Sequence, residues 1–202
     1  MLVDRDVKTS TLPLELNTDV IRTELHTGGI IEICMEEREA KNMFSQAWVN
    51  GMREVFDIIE RSDAYKVVVL TGYDNYFASG GTKESLVAIH DGKAKFTDNK
   101  IFELAMTCKL PVIAAMQGHG IGAGWALGMF ADMIRYSEES HYMSPYMNYG
   151  FTPGAGATII FPETVGLDTA RERLLTGQQF SGYEPPDMRP PDPGLPREQC
   201  RE

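Results

Sequence analysis

Short apolar runs alternate with amphipathic stretches over most of the chain. Residues 30–35 (IIEICM), 66–71 (KVVVLT) and 112–116 (VIAAM) are rich in β-branched residues, which predicts three strands. Between the first two runs, Ser45 is a suitable N-cap, and apolar residues recur behind it at helical spacing. These positions are Trp48, Met52, Val55, Phe56 and Ile59. The spacing predicts a helix over about residues 45–61.

The alternation continues through the later part of the chain. A helix is expected over 99–108, before Pro111, and another over WALGMFA (125–131) after a glycine-rich turn. Residues 133–136 (MIRY) predict a further strand. The segment 83–98 has weak helical periodicity and a polar stretch, so we expect a mobile helix and loop. Strands that alternate with helices indicate an α/β fold with parallel pairing.

The composition changes near residue 181. Residues 181–202 contain six of the eleven prolines and only four apolar residues. So many prolines prevent a regular helix, and so few apolar groups do not offset the entropy lost on ordering. We therefore expect one folded core, residues 1–180, followed by a proline-rich, disordered tail, residues 181–202.

Charge and composition exclude several classes of function. The net charge of −10 argues against nucleic acid as a partner. The chain has no apolar run of membrane-spanning length and no signal-peptide core at its start, so no membrane partner is expected. Cys34, Cys108 and Cys200 are widely spaced, odd in number and without zinc-ligand spacing. This pattern is typical of a cytoplasmic protein without a metal site.

Two glycine-rich turns are the strongest candidates for chemistry. The first is YFASGGTKE (76–84), shortly after the strand 66–71, and the second is GHGIGAG (118–124), after the strand 112–116. Small residues behind strands allow a substrate to approach backbone amides closely. If both turns face one cavity, two N–H groups can bind one oxygen as an oxyanion hole. The alternative is that these glycines only form tight turns.

Two further glycine patterns need an interpretation. Gly118, Gly120 and Ala123 fit a dinucleotide-binding fingerprint with Glu138 twenty residues beyond the first, which keeps an oxidoreductase as a rival. However, too few strands follow this unit to complete a dinucleotide-binding sheet. The segment 150–158 (GFTPGAGAT) has small residues and no titratable side chain, which indicates packing rather than chemistry.

Three motifs in order make the sequence recognisable over about residues 20–180. LTGYDNYFASGGTKE, PVIAAMQGHGIGAGWALGMFADM and YGFTPGAGAT resemble the crotonase (enoyl-CoA hydratase/isomerase) superfamily. The resemblance implies an α/β, crotonase-like spiral of ββα units, assembled as a homotrimer or a dimer of trimers. The chain stops early by the standard of this family, so the C-terminal helical region is expected to be missing or degraded.

The resemblance also assigns site residues. It places the oxyanion-hole amides on Gly81 and Ala123, where they would bind the carbonyl oxygen of a thioester on phosphopantetheine or CoA. No other cofactor and no metal are implied. The same comparison suggests four further residues against the substrate: Ala78, Ser79, Gly122 and Tyr146.

The chain departs from the hydratases at two positions. Hydratases carry one glutamate three residues after the second oxyanion amide, where this chain has Ala126, and a second where it has Tyr146. Hydration needs a base to activate water and an acid to protonate carbon, so these losses argue against it and against the single-glutamate isomerase route. Decarboxylation needs no carboxylate base, because the departing CO2 leaves its bonding electrons behind.

The amino-acid sequences of these motifs, together with KFTDN (95–99), resemble those of the decarboxylating crotonases of polyketide β-branching cassettes. That resemblance implies conversion of a 3-methylglutaconyl-type to a 3-methylcrotonyl-type thioester on an acyl-carrier protein. It points to Lys95 as the catalytic lysine that pairs with the substrate carboxylate, with Lys83 and Lys93 as alternatives. Two other readings stay open: a generic enoyl-CoA hydratase or isomerase, and an inactive thioester-binding homologue.

The family also uses a histidine near the C-terminus, and this chain has none there. Its four histidines all come earlier: His26, His90, His119 and His141. His119 lies inside the second glycine-rich turn, where we expect it to pack or to form a local hydrogen bond.

Overall fold

A β-hairpin and a long helix are the first elements along the chain. The computed structural model describes residues 14–182 and 194–201. Strands β1 (Ile21–His26) and β2 (Ile30–Met35) pair antiparallel, and helix α1 (Gln46–Arg61) follows. The Ser45 hydroxyl accepts a hydrogen bond from the Trp48 amide at 3.1 Å, which confirms the predicted N-cap.

Three successive units then repeat the order strand, strand, helix. The first strand of each unit joins one sheet and the second strand joins another. The elements are β3 (Val67–Thr71), β4 (Tyr76–Ala78), α2 (Lys83–His90) and α3 (Ile101–Thr107); β5 (Val112–Met116), β6 (His119–Ile121) and α4 (Ala123–Met129); and β7 (Met133–Tyr136), β8 (His141–Met143), a 3-10 turn (Met147–Tyr149), α5 (Ala157–Val165) and α6 (Leu167–Thr176).

The two sheets interleave along the chain. The larger has the order β1-β2-β3-β5-β7 and is parallel apart from β1. The smaller has the order β4-β6-β8-β9, where β9 (Phe180–Ser181) is antiparallel to β8. This arrangement confirms the expected spiral of ββα units. It also argues against the dinucleotide-binding alternative, because residues His119–Ile121 of the glycine-rich segment form strand β6 of the smaller sheet and are not part of a single tight turn between β5 and α4.

The core is continuous from α1 through the larger sheet to α4. Every residue of α4 is buried, as expected of a helix that is apolar on all sides. Its Trp125 packs against Phe161 of α5, with ring centroids 4.6 Å apart. On the other side of the core, Trp48 of α1 stacks on Phe44 at 4.4 Å. The buried position of α4 fixes its first residues, Ala123 and Gly124, against the smaller sheet.

The end of the chain differs from the expected disordered tail. Residues 181–182 are ordered, and residues 194–201 pack on the body; residues 183–193 lie outside the described part. The Leu195 amide donates to the Tyr136 carbonyl, and the Glu138 amide donates to the Leu195 carbonyl, both at 2.8 Å. Leu195 thus pairs with the end of β7. Cys200 is 5% exposed, in a 3-10 turn at Arg197–Arg201. A few backbone hydrogen bonds and buried groups thus order this segment, and its one proline, Pro196, has no amide hydrogen that would need an acceptor.

Among the described residues, no helix has the length and apolar character needed to cross a membrane.

Candidate active site

The smaller sheet brings the two glycine-rich turns into contact. Strand β4 forms the beginning of the first glycine-rich segment and pairs parallel with β6, which lies within the second. A Cβ atom on Gly124 would collide with the Ala78 carbonyl and lie 2.9 Å from Ala78 Cβ, and one on Gly80 would lie 2.9 Å from the Ile121 carbonyl oxygen. These glycines are needed because the two backbones touch, so the turns do more than reverse the chain.

The amides assigned to the oxyanion hole lie on either side of this contact. Ala123 begins α4, and the Cβ position of Gly80, the residue before Gly81, is only 3.3 Å from the Ala123 nitrogen. Neither the Gly81 nor the Ala123 amide donates a hydrogen bond to a described residue. The Gly122 amide, in contrast, donates to the Met143 carbonyl at 2.8 Å. Two unpaired amides therefore remain on adjacent segments, and their assignment to an oxyanion hole stays a prediction.

A buried asparagine holds the first turn, and the sequence analysis missed it. Asn42 is fully buried, and its side-chain amide donates to the Met35 and Phe77 carbonyls at 2.8 and 2.9 Å. Its side-chain oxygen accepts from the Glu37 amide at 2.8 Å, and its main-chain carbonyl accepts from the Ser79 amide at 3.0 Å. Asn42 thus ties the end of β2 to the strand and turn that contain Ala78 to Gly81.

The two positions that carry glutamate in hydratases are both buried. Ala126 has no exposed surface, and Tyr146 is 5% exposed. The Tyr146 hydroxyl and the nearby Ser144 hydroxyl are buried without a hydrogen-bond partner among the described residues. Burial raises the pKa of the Tyr146 phenol, which therefore stays neutral at physiological pH. Neither position supplies a general base.

Tyr146 also lies next to the second turn. It follows β8, whose Met143 accepts the Gly122 amide, and Pro145 is the nearest neighbour of a Cβ placed on Gly122, at 3.9 Å. The structure thus brings Ala78, Gly122 and Tyr146 to one end of the smaller sheet. Their contact with a substrate, and that of the half-buried Ser79, stays a prediction.

Lys95 lies outside this end of the sheet, on the segment after α2. It is exposed, its backbone amide donates to Asp98 Oδ2 at 2.8 Å, and its Nζ forms no ion pair with a described residue. The alternative Lys93 pairs with Asp91 at 2.9 Å, and Lys83 is exposed at the start of α2. No bond joins Lys95 to the two turns, so its catalytic role stays a prediction.

The histidine of the second turn forms a local contact, as expected. His119 stacks on His141 at 5.4 Å between ring centroids, and its Nδ1 accepts the His141 amide at 2.9 Å. Burial, and then the charges of His141 and Arg197, lower the pKa of His119. The ring is thus held neutral on the outside of the smaller sheet.

One group of side chains could share a metal ion within the part of the chain that the structure describes. Glu24, His26 and Glu32 of the β1–β2 hairpin place ligand atoms within 4.8 Å of one another. Arg22 already donates to Glu24, and Thr71 donates to Glu32 at 2.9 Å, so these carboxylates are engaged within the protein. The group lies on the larger sheet and is not part of the candidate active site.

The spiral of ββα units, with two glycine-rich turns in contact at one end of the smaller sheet, defines the crotonase class of proteins. The sequence model described as Enoyl-CoA hydratase/isomerase matches residues 26–200, and the chain belongs to this family.

Among curated relatives, the chain is 50% identical over 155 residues to the bacillaene synthase decarboxylase PksI of Bacillus subtilis (strain 168). It is 31% identical over 166 residues to a mitochondrial enoyl-CoA hydratase of Pongo abelii. These alignments cover 77% and 81% of this chain and 62% and 56% of the relatives. The chain therefore spans less than two thirds of the length of these curated relatives.

The solved structures that the fold resembles include decarboxylases as well. The fold is similar to a structure from a dehydratase/decarboxylase enzyme couple involved in polyketide β-branching, with a TM-score of 0.91 and 43% identity, over 94% of this chain and 75% of that one. It is also similar to the ECH2 decarboxylase domain of CurF from Lyngbya majuscula, with a TM-score of 0.84 and 37% identity, over 90% of this chain and 74% of that domain.

Proposed function

We propose that this protein decarboxylates a 3-methylglutaconyl-type acyl thioester on an acyl-carrier protein, giving a 3-methylcrotonyl-type product in polyketide biosynthesis. The observation that carries the proposal is the pair of unpaired amides, Gly81 and Ala123, beside two positions that hold no carboxylate. Ala126 and Tyr146 occupy the places of the hydratase glutamates. The site can bind a thioester oxygen and lacks at these positions the acid and base that hydration uses.

The reaction is balanced without a protein base. The bond between the γ-carbon and the carboxylate of the substrate breaks, and its electron pair moves through the conjugated system to the thioester oxygen. CO2 leaves, and the remaining dienolate takes up one proton. Protonation at the γ-carbon gives the α,β-unsaturated product, and protonation at the α-carbon gives the β,γ-isomer.

The amides of Gly81 and Ala123 stabilise the negative charge that develops on the thioester oxygen. Both are backbone groups held by packed elements, so they need no reorganisation when the charge appears. One such donor contributes about 2.7–4 kcal/mol to a transition state of this kind. The glycines at positions 80 and 124 serve this arrangement because they let the two turns meet.

Lys95 pairs with the substrate carboxylate and orients it for departure. Its ammonium group forms no ion pair with a described residue, so it is available to an incoming anion. A carboxylate at Ala126 or Tyr146 would act in the opposite direction, since two like charges about 4 Å apart repel by up to about 4 kcal/mol near a protein surface. The absence of both glutamates therefore favours a substrate that carries its own carboxylate.

The substrate arrives on phosphopantetheine or CoA, with an acyl-carrier protein as the partner. Small residues at Ala78, Ser79 and Gly122 leave room for the thioester beside the two turns. No further cofactor is needed, since no electrons are exchanged with an outside carrier. We also propose that the protein assembles as a homotrimer or a dimer of trimers. We propose that it is cytoplasmic, since the free thiols of Cys34, Cys108 and Cys200 agree with a reducing compartment.

The relatives support this choice over hydration. The protein that is 50% identical carries the name of a decarboxylase, whereas the hydratase of Pongo abelii is 31% identical. Of the two solved structures described above, one is a decarboxylase domain and the other comes from a dehydratase/decarboxylase couple.

The test is incubation of the purified chain with 3-methylglutaconyl-carrier protein, followed by mass spectrometry of the loaded carrier. Loss of the mass of CO2 is expected. Crotonyl-carrier protein serves as the control substrate, because a hydratase adds water to it and a decarboxylase leaves it unchanged. Water addition without CO2 loss would contradict the proposal and favour a hydratase. Binding of the loaded carrier without any mass change would favour an inactive thioester-binding homologue.

A further inference from the structure

Phe96 is the one aromatic residue of the segment 91–100, and it turns towards the body of the protein. Its ring packs edge-to-face on Tyr146, with centroids 5.8 Å apart, and on Phe151 at 5.7 Å. Gly154 completes the contact: a Cβ atom there would lie 2.7 Å from Phe96 Cγ, closer than real Cβ atoms come. We call Tyr146, Phe151 and Gly154 the Phe96 socket.

The amides of Lys93 and Ala94 donate to the Ala88 carbonyl of α2, and the socket adds a contact with a distant part of the chain. Apart from Phe96 and Ala94, every residue from 91 to 100 is exposed. The hydrogen bonds of Lys95 are local, since its amide donates to Asp98 Oδ2 at 2.8 Å and its carbonyl accepts from the Asp98 amide at 3.1 Å. Arg53 of α1 donates to the Asn99 carbonyl and holds the far end. The ring of Phe96 is thus the nearest tertiary contact to Lys95.

We propose that Phe96 is a positioning residue: its ring, seated in the socket, holds the backbone of Lys95 close to Tyr146, so that the lysine side chain can reach a substrate bound at the two turns. The inference rests on the proposed function, because the contact between Phe96 and the socket matters for catalysis only if Lys95 binds the substrate carboxylate. It gives a role to two features that the chemistry leaves unexplained. The glycine-rich segment 150–158 supplies the space for the ring, and Tyr146 supplies an aromatic wall where hydratases carry a carboxylate.

The geometry explains why the ring affects catalysis. Lys95 and Phe96 are adjacent residues, so when the ring leaves the socket the backbone that carries Lys95 loses this anchor and is free to shift. A misplacement of about 1 Å by a remote substitution costs about a hundredfold in rate when orientation matters. The effect should fall on the rate of the chemical step, since the thioester is bound by the two turns and not by Lys95.

The test compares Phe96→Ala, Gly154→Ala and the double variant. Each single variant should lower kcat about a hundredfold and change KM much less. Gly154→Ala should have no further effect in the Phe96→Ala background, because the added methyl group then meets no ring. Phe96→Leu, which refills part of the socket, should restore much of kcat. Phe102→Ala is the matched control, since Phe102 is a half-buried ring that packs on Phe44 and Phe130 instead.

A second measurement does not depend on activity. Limited trypsin digestion, with peptides identified by mass spectrometry, reports how often the chain around Lys95 detaches. Gly154→Ala leaves the cleavage sequence intact, so it should speed the cut after Lys95 while cuts elsewhere keep their wild-type rates. If the wild-type chain releases no CO2, the proposed function fails and this digestion still tests the socket.

Two results would overturn the inference. The first is a Gly154→Ala variant with unchanged kcat and an unchanged tryptic cut after Lys95. The second is a Gly154→Ala effect of equal size with and without the Phe96 ring, because the effect would then not act through that contact.

Discussion

Asn42 offers the sharpest test of how the first turn is held. Replacement by alanine removes three side-chain hydrogen bonds, to Met35, Phe77 and the Glu37 amide, each 2.8–2.9 Å long and fully buried. Each such bond contributes about 1 kcal/mol, so their loss costs about 3 kcal/mol. Asn42 also has a φ of +54°, in the left-handed region that alanine adopts at a cost of about 1 kcal/mol.

Two variants separate these contributions. Asn42→Ala should lower the free energy of unfolding by about 4 kcal/mol, the sum of the two effects. Asn42→Gly should lower it by about 3 kcal/mol, because glycine adopts a positive φ without strain but makes no side-chain bonds. Urea denaturation at 25 °C measures both values. In a chain of this size these losses correspond to a fall in Tm of about 8–16 °C for Asn42→Ala and about 6–12 °C for Asn42→Gly.

The activity of these variants reports on the oxyanion hole. The Ser79 amide donates to the Asn42 carbonyl, and the Phe44 amide donates to the Gly80 carbonyl at 2.7 Å. A shift of Asn42 therefore displaces the turn that presents the Gly81 amide, and we expect kcat to fall about a hundredfold, as on loss of one oxyanion donor. Asn50→Ala, at an exposed position of α1, is the control and should change neither quantity. An Asn42→Ala protein with an unfolding free energy within about 1 kcal/mol of wild type would refute the reasoning.

Four further predictions follow from the site. Tyr146→Phe removes a buried hydroxyl without a partner and should leave the unfolding free energy unchanged or raise it by about 1 kcal/mol; a large fall in kcat/KM with unchanged Tm would instead show that the hydroxyl binds substrate. Gly124→Ala places a methyl group against the Ala78 carbonyl and should abolish CO2 release; near-normal turnover would contradict the contact between the turns. Lys95→Met should lower kcat about a hundredfold while loaded carrier still binds in a pull-down assay, whereas Lys100→Met, at an exposed lysine of the same segment, should not. The lowered pKa of His119 means that the unfolded chain binds more protons at this residue, so the free energy of unfolding should fall as the pH drops below about 6.5. Urea denaturation at several pH values should show a weaker pH dependence for His119→Gln than for wild type. An equal pH dependence in both proteins would exclude His119 as its cause.

Local sequence patterns predicted four strands of the larger sheet and the helices α1, α3 and α4, but they did not predict the short strands of the smaller sheet or the helices α5 and α6. The β-branched run 112–116 forms β5, and the apolar spacing behind Ser45 forms α1, because both signals depend only on side chains a few residues apart. The tail shows where composition misleads. Residues 194–201 are ordered because Leu195 finds backbone partners at Tyr136 and Glu138, and proline content carries no information about such partners.

The sequence by itself supplied the residues on which the proposed decarboxylation rests. Residue identity alone removes the carboxylates at Ala126 and Tyr146 and supplies the glycines of both turns, and the order of the motifs identifies the family. Only the tertiary structure decided how these parts are held. Asn42 reaches Phe77 across thirty-five residues of chain, and Phe96 reaches Gly154 across a still longer interval. Such contacts depend on how the whole chain packs, so no local periodicity encodes them.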